Sequence, residues 1–109
     1  MDMDKEMLDP ETVHAAAKVL GLGERETIED IKKTYREHVK RWHPDNCNDD
    51  AETCRKKTEE IVNAYEIVMV YCTHYRFSFK KDDIIRNLPV AVRMNEQWKK
   101  QFMDDPLWK

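Results

Sequence analysis

The chain has 109 residues, a formal net charge of -3, 40% hydrophobic side chains and 38% charged ones. That length holds one small domain, and the composition is that of a charge-rich, helical, folded chain, not a disordered one. Two glycines, Gly21 and Gly23, leave no Gly-rich phosphate loop and no dinucleotide fingerprint. No run of 18 apolar residues occurs, and the stretch from Met1 to Met7 is acidic, so neither a membrane span nor a signal peptide is expected and the cytoplasm is the expected compartment.

The first eight residues read as a tail. Asp9-Pro10 then opens a helix over 10–20, with Asp as N-cap and Pro at a position whose N–H has no helical partner. Val13, Ala16, Ala17 and Leu20 share one face, and Gly21 supplies the left-handed C-cap. After a loop, Thr27 caps a second helix, with Asp30 completing a capping box. At about 100° per residue, Ile28, Ile31, Tyr35, His38, Val39 and Trp42 fall in one core-facing arc. Lys32, Lys33, Arg36 and Lys40 fall in a neighbouring arc, with Glu29 among them and Glu37 at its edge. Pro44 stops this helix, because the residue before a proline is pushed out of the α region. Residues 44–50 form a polar loop.

A third helix is expected from Ala51 to about Cys72, with Cys54, Thr58, Ile61, Tyr65, Val68 and Cys72 on one face and Ala64 and Met69 on its flanks. From Tyr71 the pattern alternates, with Tyr71, Thr73, Tyr75, Phe77 and Phe79 on one side, which predicts an extended segment laying its aromatics on the helices. Pro89 is placed to start a helix running to about Met103, with Ala91, Met94, Trp98 and Phe102 on one face, and Asp105-Pro106-Leu107-Trp108 to end in a turn. The expected division is a tail (1–8), a helical domain (9–74), and a C-terminal extension (75–109) folded back on it. The aromatics Tyr75, Phe77, Phe79, Trp98, Phe102 and Trp108 are too many for a solvated, disordered tail.

Charge is distributed unevenly: -4 over 1–26, +1 over 27–45, -2 over 46–79 and +2 over 80–109. No block is basic enough to bind nucleic acid by electrostatics alone. Cys47, Cys54 and Cys72 form no C-x-x-C pair and read as reduced thiols. His43, Cys47 and Cys54 match no zinc spacing and lack a fourth ligand, so no metal and no cofactor are expected. No nucleophile with a placed base is visible, so an enzyme reading has no support.

The tripeptide His43-Pro44-Asp45 sits between the second and third helices. It is preceded by Leu20-Gly21-Leu22, by Ile31-Lys32-Lys33-Thr34-Tyr35-Arg36 and by Lys40-Arg41-Trp42, and followed by Ile61-Val62-Asn63-Ala64-Tyr65-Glu66-Ile67-Val68. Over about residues 12–70 this arrangement resembles the J domain of DnaJ-type co-chaperones. The resemblance implies an all-α fold in which the second and third helices form an antiparallel finger with the tripeptide at its tip. It implies docking on a DnaK-class heat-shock chaperone, whose ATP hydrolysis the domain stimulates without chemistry of its own. His43, Pro44 and Asp45 are then docking residues, with Tyr35 and Arg36 at contact positions and Lys32 and Lys40 extending the positive stripe.

Several residues depart from the family pattern. Glu37 and Asn46 stand where a basic residue is usual, Glu59 where Lys is usual, Thr58 where a buried Phe is usual and His38 where a buried Leu is usual. The positive surface is therefore thinner than the family norm, and the finger's core takes two polar residues. The family's fourth short helix is not recognisable. Its Gly/Phe-rich linker and zinc-binding client domain are also missing, so the chain resembles a minimal, J-domain-only member. An alternative reading is a J-like scaffold, or a redox- or metal-responsive interaction module, that has lost chaperone coupling. The C-terminal extension is a candidate contact for a client or partner protein.

Overall fold

A computed structural model describes residues 8–89 and residue 92 of the chain. Every element among the described residues is helical: α1 (Pro10–Leu20), α2 (Ile28–Trp42), α3 (Ala51–His74) and α4 (Lys81–Asn87). The chain divides into two compact units, Met1–Tyr75 and Arg76–Lys109.

The helix boundaries follow from local chemistry. The Asp9 carboxylate accepts the Thr12 N–H at 3.1 Å, and Gly21 closes α1 at φ +72°. A Cβ at that φ would crowd the backbone, which is why glycine stands there. Thr27 Oγ1 accepts the Asp30 N–H at 3.1 Å while the Asp30 carboxylate accepts the Thr27 N–H at 3.3 Å, the reciprocal capping box expected. Asp50 starts α3 by accepting the Thr53 N–H at 3.3 Å and the Thr53 hydroxyl at 2.6 Å. These bonds, the hydroxyl first, hold the Asp50 carboxyl below the usual carboxylate range.

In the first unit α1 and α2 both pack on α3, and α1 touches α2. The core is Ala16 and Leu20 from α1, Ile31 from α2, and Ile61, Ala64, Ile67 and Val68 from α3. The expected face of α3 omits Ile67. A helix with two partners buries a wider arc than one with a single partner, and Ile67 lies on that added width. Ile28 departs the other way. It belongs to the apolar arc by periodicity but stays 41% exposed at the first residue of α2.

α2 and α3 run antiparallel. Tyr35 stacks on Tyr65 with ring centroids 3.9 Å apart, and the Trp42 carbonyl meets the Thr58 hydroxyl at 2.8 Å. Seven residues forward on α2 thus correspond to seven residues back on α3.

The extended segment expected from Tyr71 is corrected at its start. α3 continues to His74, whose Nδ1 donates to the Val70 carbonyl at 2.9 Å, and Tyr71 meets Tyr75 edge to face at 5.8 Å. Positions i and i+4 are neighbours on a helix, so these aromatics satisfy helical spacing as well as alternation. A lone strand would leave its backbone N–H and C=O groups unpaired, and no strand occurs among the described residues.

In the second unit, α4 was not expected. Ser78 Oγ donates to the Asp83 carboxylate at 2.6 Å and accepts the Lys80 N–H at 3.3 Å, and Arg86 pairs with Asp83. Asp82 and Asp83 in the first turn suit the positive end of the helix dipole. The helix expected from Pro89 to Met103 lies outside the described residues apart from Pro89 and Val92, as do the tail 1–7 and the turn at 105–108.

Leu20 of the core is fully shielded from solvent. Leu20→Ala is expected to cost about 2–5 kcal/mol of stability. Urea unfolding checks this, through a lower midpoint with an unchanged slope.

Candidate functional site

The site begins where α2 stops. Pro44 has no N–H and pushes His43 out of the helix, and His43 takes φ -58° and ψ 136° as the C-cap. Its N–H still donates to the Val39 carbonyl at 2.8 Å. Its own carbonyl accepts two amides, from Asn46 at 2.8 Å and from Cys47 at 2.9 Å. A single oxygen therefore gathers the far side of the turn.

The side chains reinforce this. The Asp45 N–H donates to His43 Nδ1 at 3.2 Å, so in the neutral imidazole the proton sits on Nε2, which is then a donor. The Asp45 carboxylate lies 3.6 Å from the same Nδ1 and is 86% exposed. The turn thus presents a carboxylate acceptor and an imidazole donor on a proline-stiffened backbone, a pairing suited to bidentate or charge-assisted hydrogen bonds with a partner.

Below the turn, the base of the finger is tied by polar groups. Thr58 Oγ1 lies 2.8 Å from both the Trp42 and the Cys54 carbonyl oxygens. The Trp42 carbonyl is one of the acceptors at the end of α2, where no helical amide remains to serve it. His38 Nε2 donates to the Leu20 carbonyl at 2.8 Å, joining α2 to the end of α1. The polar residues on the apolar arc are therefore interhelical ties and not defects. The Trp42 ring carries the Arg41 guanidinium at 5.0 Å and the Lys57 ammonium at 5.8 Å.

The residues singled out on α2 divide in two. Tyr35 is half-buried and committed to its stack on Tyr65. Arg36 and Lys40 are exposed and Lys32 is half-buried, and none of the three enters an ion pair among the described residues. At a rise of about 1.5 Å per residue, Lys40 lies about 5 Å along the helix from His43, Arg36 about 10 Å and Lys32 about 16 Å. Glu59 is paired with Arg55 at 2.7 Å.

The cysteine reading is corrected. Cys47 and Cys54 are joined as a disulfide with their Cα atoms 6.2 Å apart, and Cys72 alone is a free thiol. Burial pushes the Cys72 thiol up. The spacing of the pair matches no common motif. The turn brings them together, because Cys47 follows the His43 carbonyl contact and Cys54 lies on the inner face of the first turn of α3. Among the described residues no group of three or more His, Cys, Asp or Glu side chains is placed to hold a metal ion. An open groove of about 660 Å³ lies toward the other end of α3, beside Val13, Leu22 and Tyr71, and none of the seven candidate residues lines it.

The comparisons with known proteins agree with this geometry. The DnaJ domain family model matches residues 18–70. The chain is similar to DnaJ homolog subfamily B member 8 of Mus musculus, 43% identical over 51 residues, which is 47% of this chain and 22% of that protein. It is equally similar to Chaperone protein DnaJ of Thermoplasma volcanium, 43% identical over 51 residues and 14% of that protein's length. DnaJ homolog subfamily B member 6 of Bos taurus is 37% identical over 51 residues, or 21% of its length. The match thus spans about a fifth or less of these relatives, and no solved structure matches.

Replacing the Thr58 hydroxyl by a methyl group keeps the shape and removes the tie to Trp42. Thr58→Val is expected to cost about 1 kcal/mol. Hydrogen exchange checks its location, with faster exchange expected at the α2–α3 junction and none at α1. By its tripeptide, helix order and family match, the segment 18–70 is a DnaJ domain.

Proposed function

We propose that the protein is a co-chaperone that docks on a DnaK-class heat-shock chaperone and stimulates its ATP hydrolysis. The observation that carries this is the His43-Pro44-Asp45 turn, held in order at the tip of two antiparallel helices with its carboxylate exposed. His43 and Asp45 are the hydrogen-bonding contacts, and Pro44 limits the entropy lost on docking. Lys32, Arg36 and Lys40 steer the finger toward an acidic groove, and Tyr35, half-buried in its stack on Tyr65, completes the contact. The domain has no catalytic step of its own in this reading, and the proposed setting is the cytoplasm. The extension over 75–109 is the proposed contact for a client or partner protein.

Support comes from the family match and from relatives whose names carry the word chaperone. The test is a single-turnover ATPase assay with a DnaK-class chaperone. The full chain is expected to raise the hydrolysis rate. His43→Gln and Asp45→Asn are each expected to abolish the effect with an unchanged circular dichroism spectrum, because both side chains are exposed and neither packs in the core. Variants that stimulate as well as the parent contradict the reading. Failure of the parent to stimulate favours the scaffold alternative.

A further inference from the structure

The disulfide lies where it bears on the turn. Cys47 follows Asp45 by two residues, and its amide is one of the two that the His43 carbonyl holds. Cys54 is the fourth residue of α3 and is 1% exposed. A Cα separation of 6.2 Å is within the span a disulfide bridges without backbone movement. The ring so closed ties the exit of the turn to the first turn of α3.

Three features suit the bond to opening and closing in place. Both sulfurs sit near one acceptor, the Asp49 carbonyl oxygen, at 3.9 Å for Cys47 and 3.5 Å for Cys54. Two thiols would therefore converge on the same oxygen and stay adjacent after the bond is broken. The two differ in access, with Cys47 half-exposed and Cys54 buried, so an incoming thiolate reaches Cys47. The third cysteine cannot compete, because Cys72 lies about 27 Å along α3 from Cys54.

We propose that Cys47 and Cys54 form a thiol–disulfide clasp that sets how rigidly the His43-Pro44-Asp45 turn is presented, ordered for docking when closed and loosened when reduced. This rests on the co-chaperone reading. Closure uses a small-molecule disulfide of the glutathione class as oxidant. The Cys47 thiolate attacks one of its sulfurs, a mixed disulfide forms at Cys47, and one small thiol leaves. The Cys54 thiolate then attacks the Cys47 sulfur, the protein disulfide forms, and the second small thiol leaves. Two electrons pass to the small molecule, and the two protons end on the released thiols. Opening is the reverse, with a small thiolate attacking Cys47. In a reducing compartment such bonds are transient and responsive, which suits a regulatory role.

The experiment compares the full chain poised with glutathione disulfide or with reduced glutathione, its state read by maleimide mass shift, in the chaperone ATPase assay. The chaperone is equilibrated in each buffer beforehand. The closed form is expected to reach half-maximal stimulation at a concentration about three- to tenfold lower, since less ordering entropy remains to be lost on docking. Cys47→Ser, at the half-exposed position, is expected to match the reduced protein in both buffers. Equal half-maximal concentrations in the two states, or a Cys47→Ser protein that still responds, overturns the clasp and leaves the co-chaperone reading standing. Absence of stimulation in both states overturns that reading and the clasp with it.

Discussion

Pro44 is the constraint from which the arrangement follows. It ends α2 at Trp42 and leaves the His43 carbonyl outside the helical ladder. That carbonyl then collects the Asn46 and Cys47 amides, which reverses the chain within a few residues. Once the chain turns back, α3 has only one direction to run, and Tyr65 arrives opposite Tyr35. The same proline makes the tip stiff, so one residue serves both the fold and the presentation of its neighbours.

The finger is held by more than apolar burial. The buried apolar side chains of α2 and α3 form a modest set, with Ile31 the one buried residue of α2. Two carbonyl oxygens at helix C-terminal ends, those of Leu20 and Trp42, each accept a hydrogen bond from a side chain elsewhere in the fold. Helix ends carry carbonyls that no intrahelical amide can serve. Placing His38 and Thr58 against them removes that cost and ties α2 to α1 and to α3. Among the described residues the exposed charges of α2 enter no ion pair, while the charges early in α3 pair among themselves through Glu52, Arg55 and Glu59.

The helix starts were legible because capping is local. Asp9 and Thr27 reach only three residues ahead, so adjacent sequence carries the whole signal. The tripeptide was legible for the same reason, with spacing and helix order around it. What His38 and Thr58 do was not legible. The sequence shows a polar group on an apolar arc but not which distant carbonyl it meets. The Cys47–Cys54 bond was hidden because the turn geometry creates the proximity. The end of α3 was misread because Tyr71 and Tyr75 satisfy alternation and i,i+4 spacing alike. α4 spans seven residues with no side-chain N-cap, too short for periodicity to register.

The central claim is that the turn and the basic face of α2 form one docking surface. Hydrogen exchange of the full chain, alone and with a DnaK-class chaperone in its ATP state, tests it most directly. Slower exchange is expected for the amides of Asp45, Asn46 and Cys47 and along the exposed side of α2, with α1 unchanged. Protection confined to α1 or to residues after 75, with the turn unaffected, contradicts it.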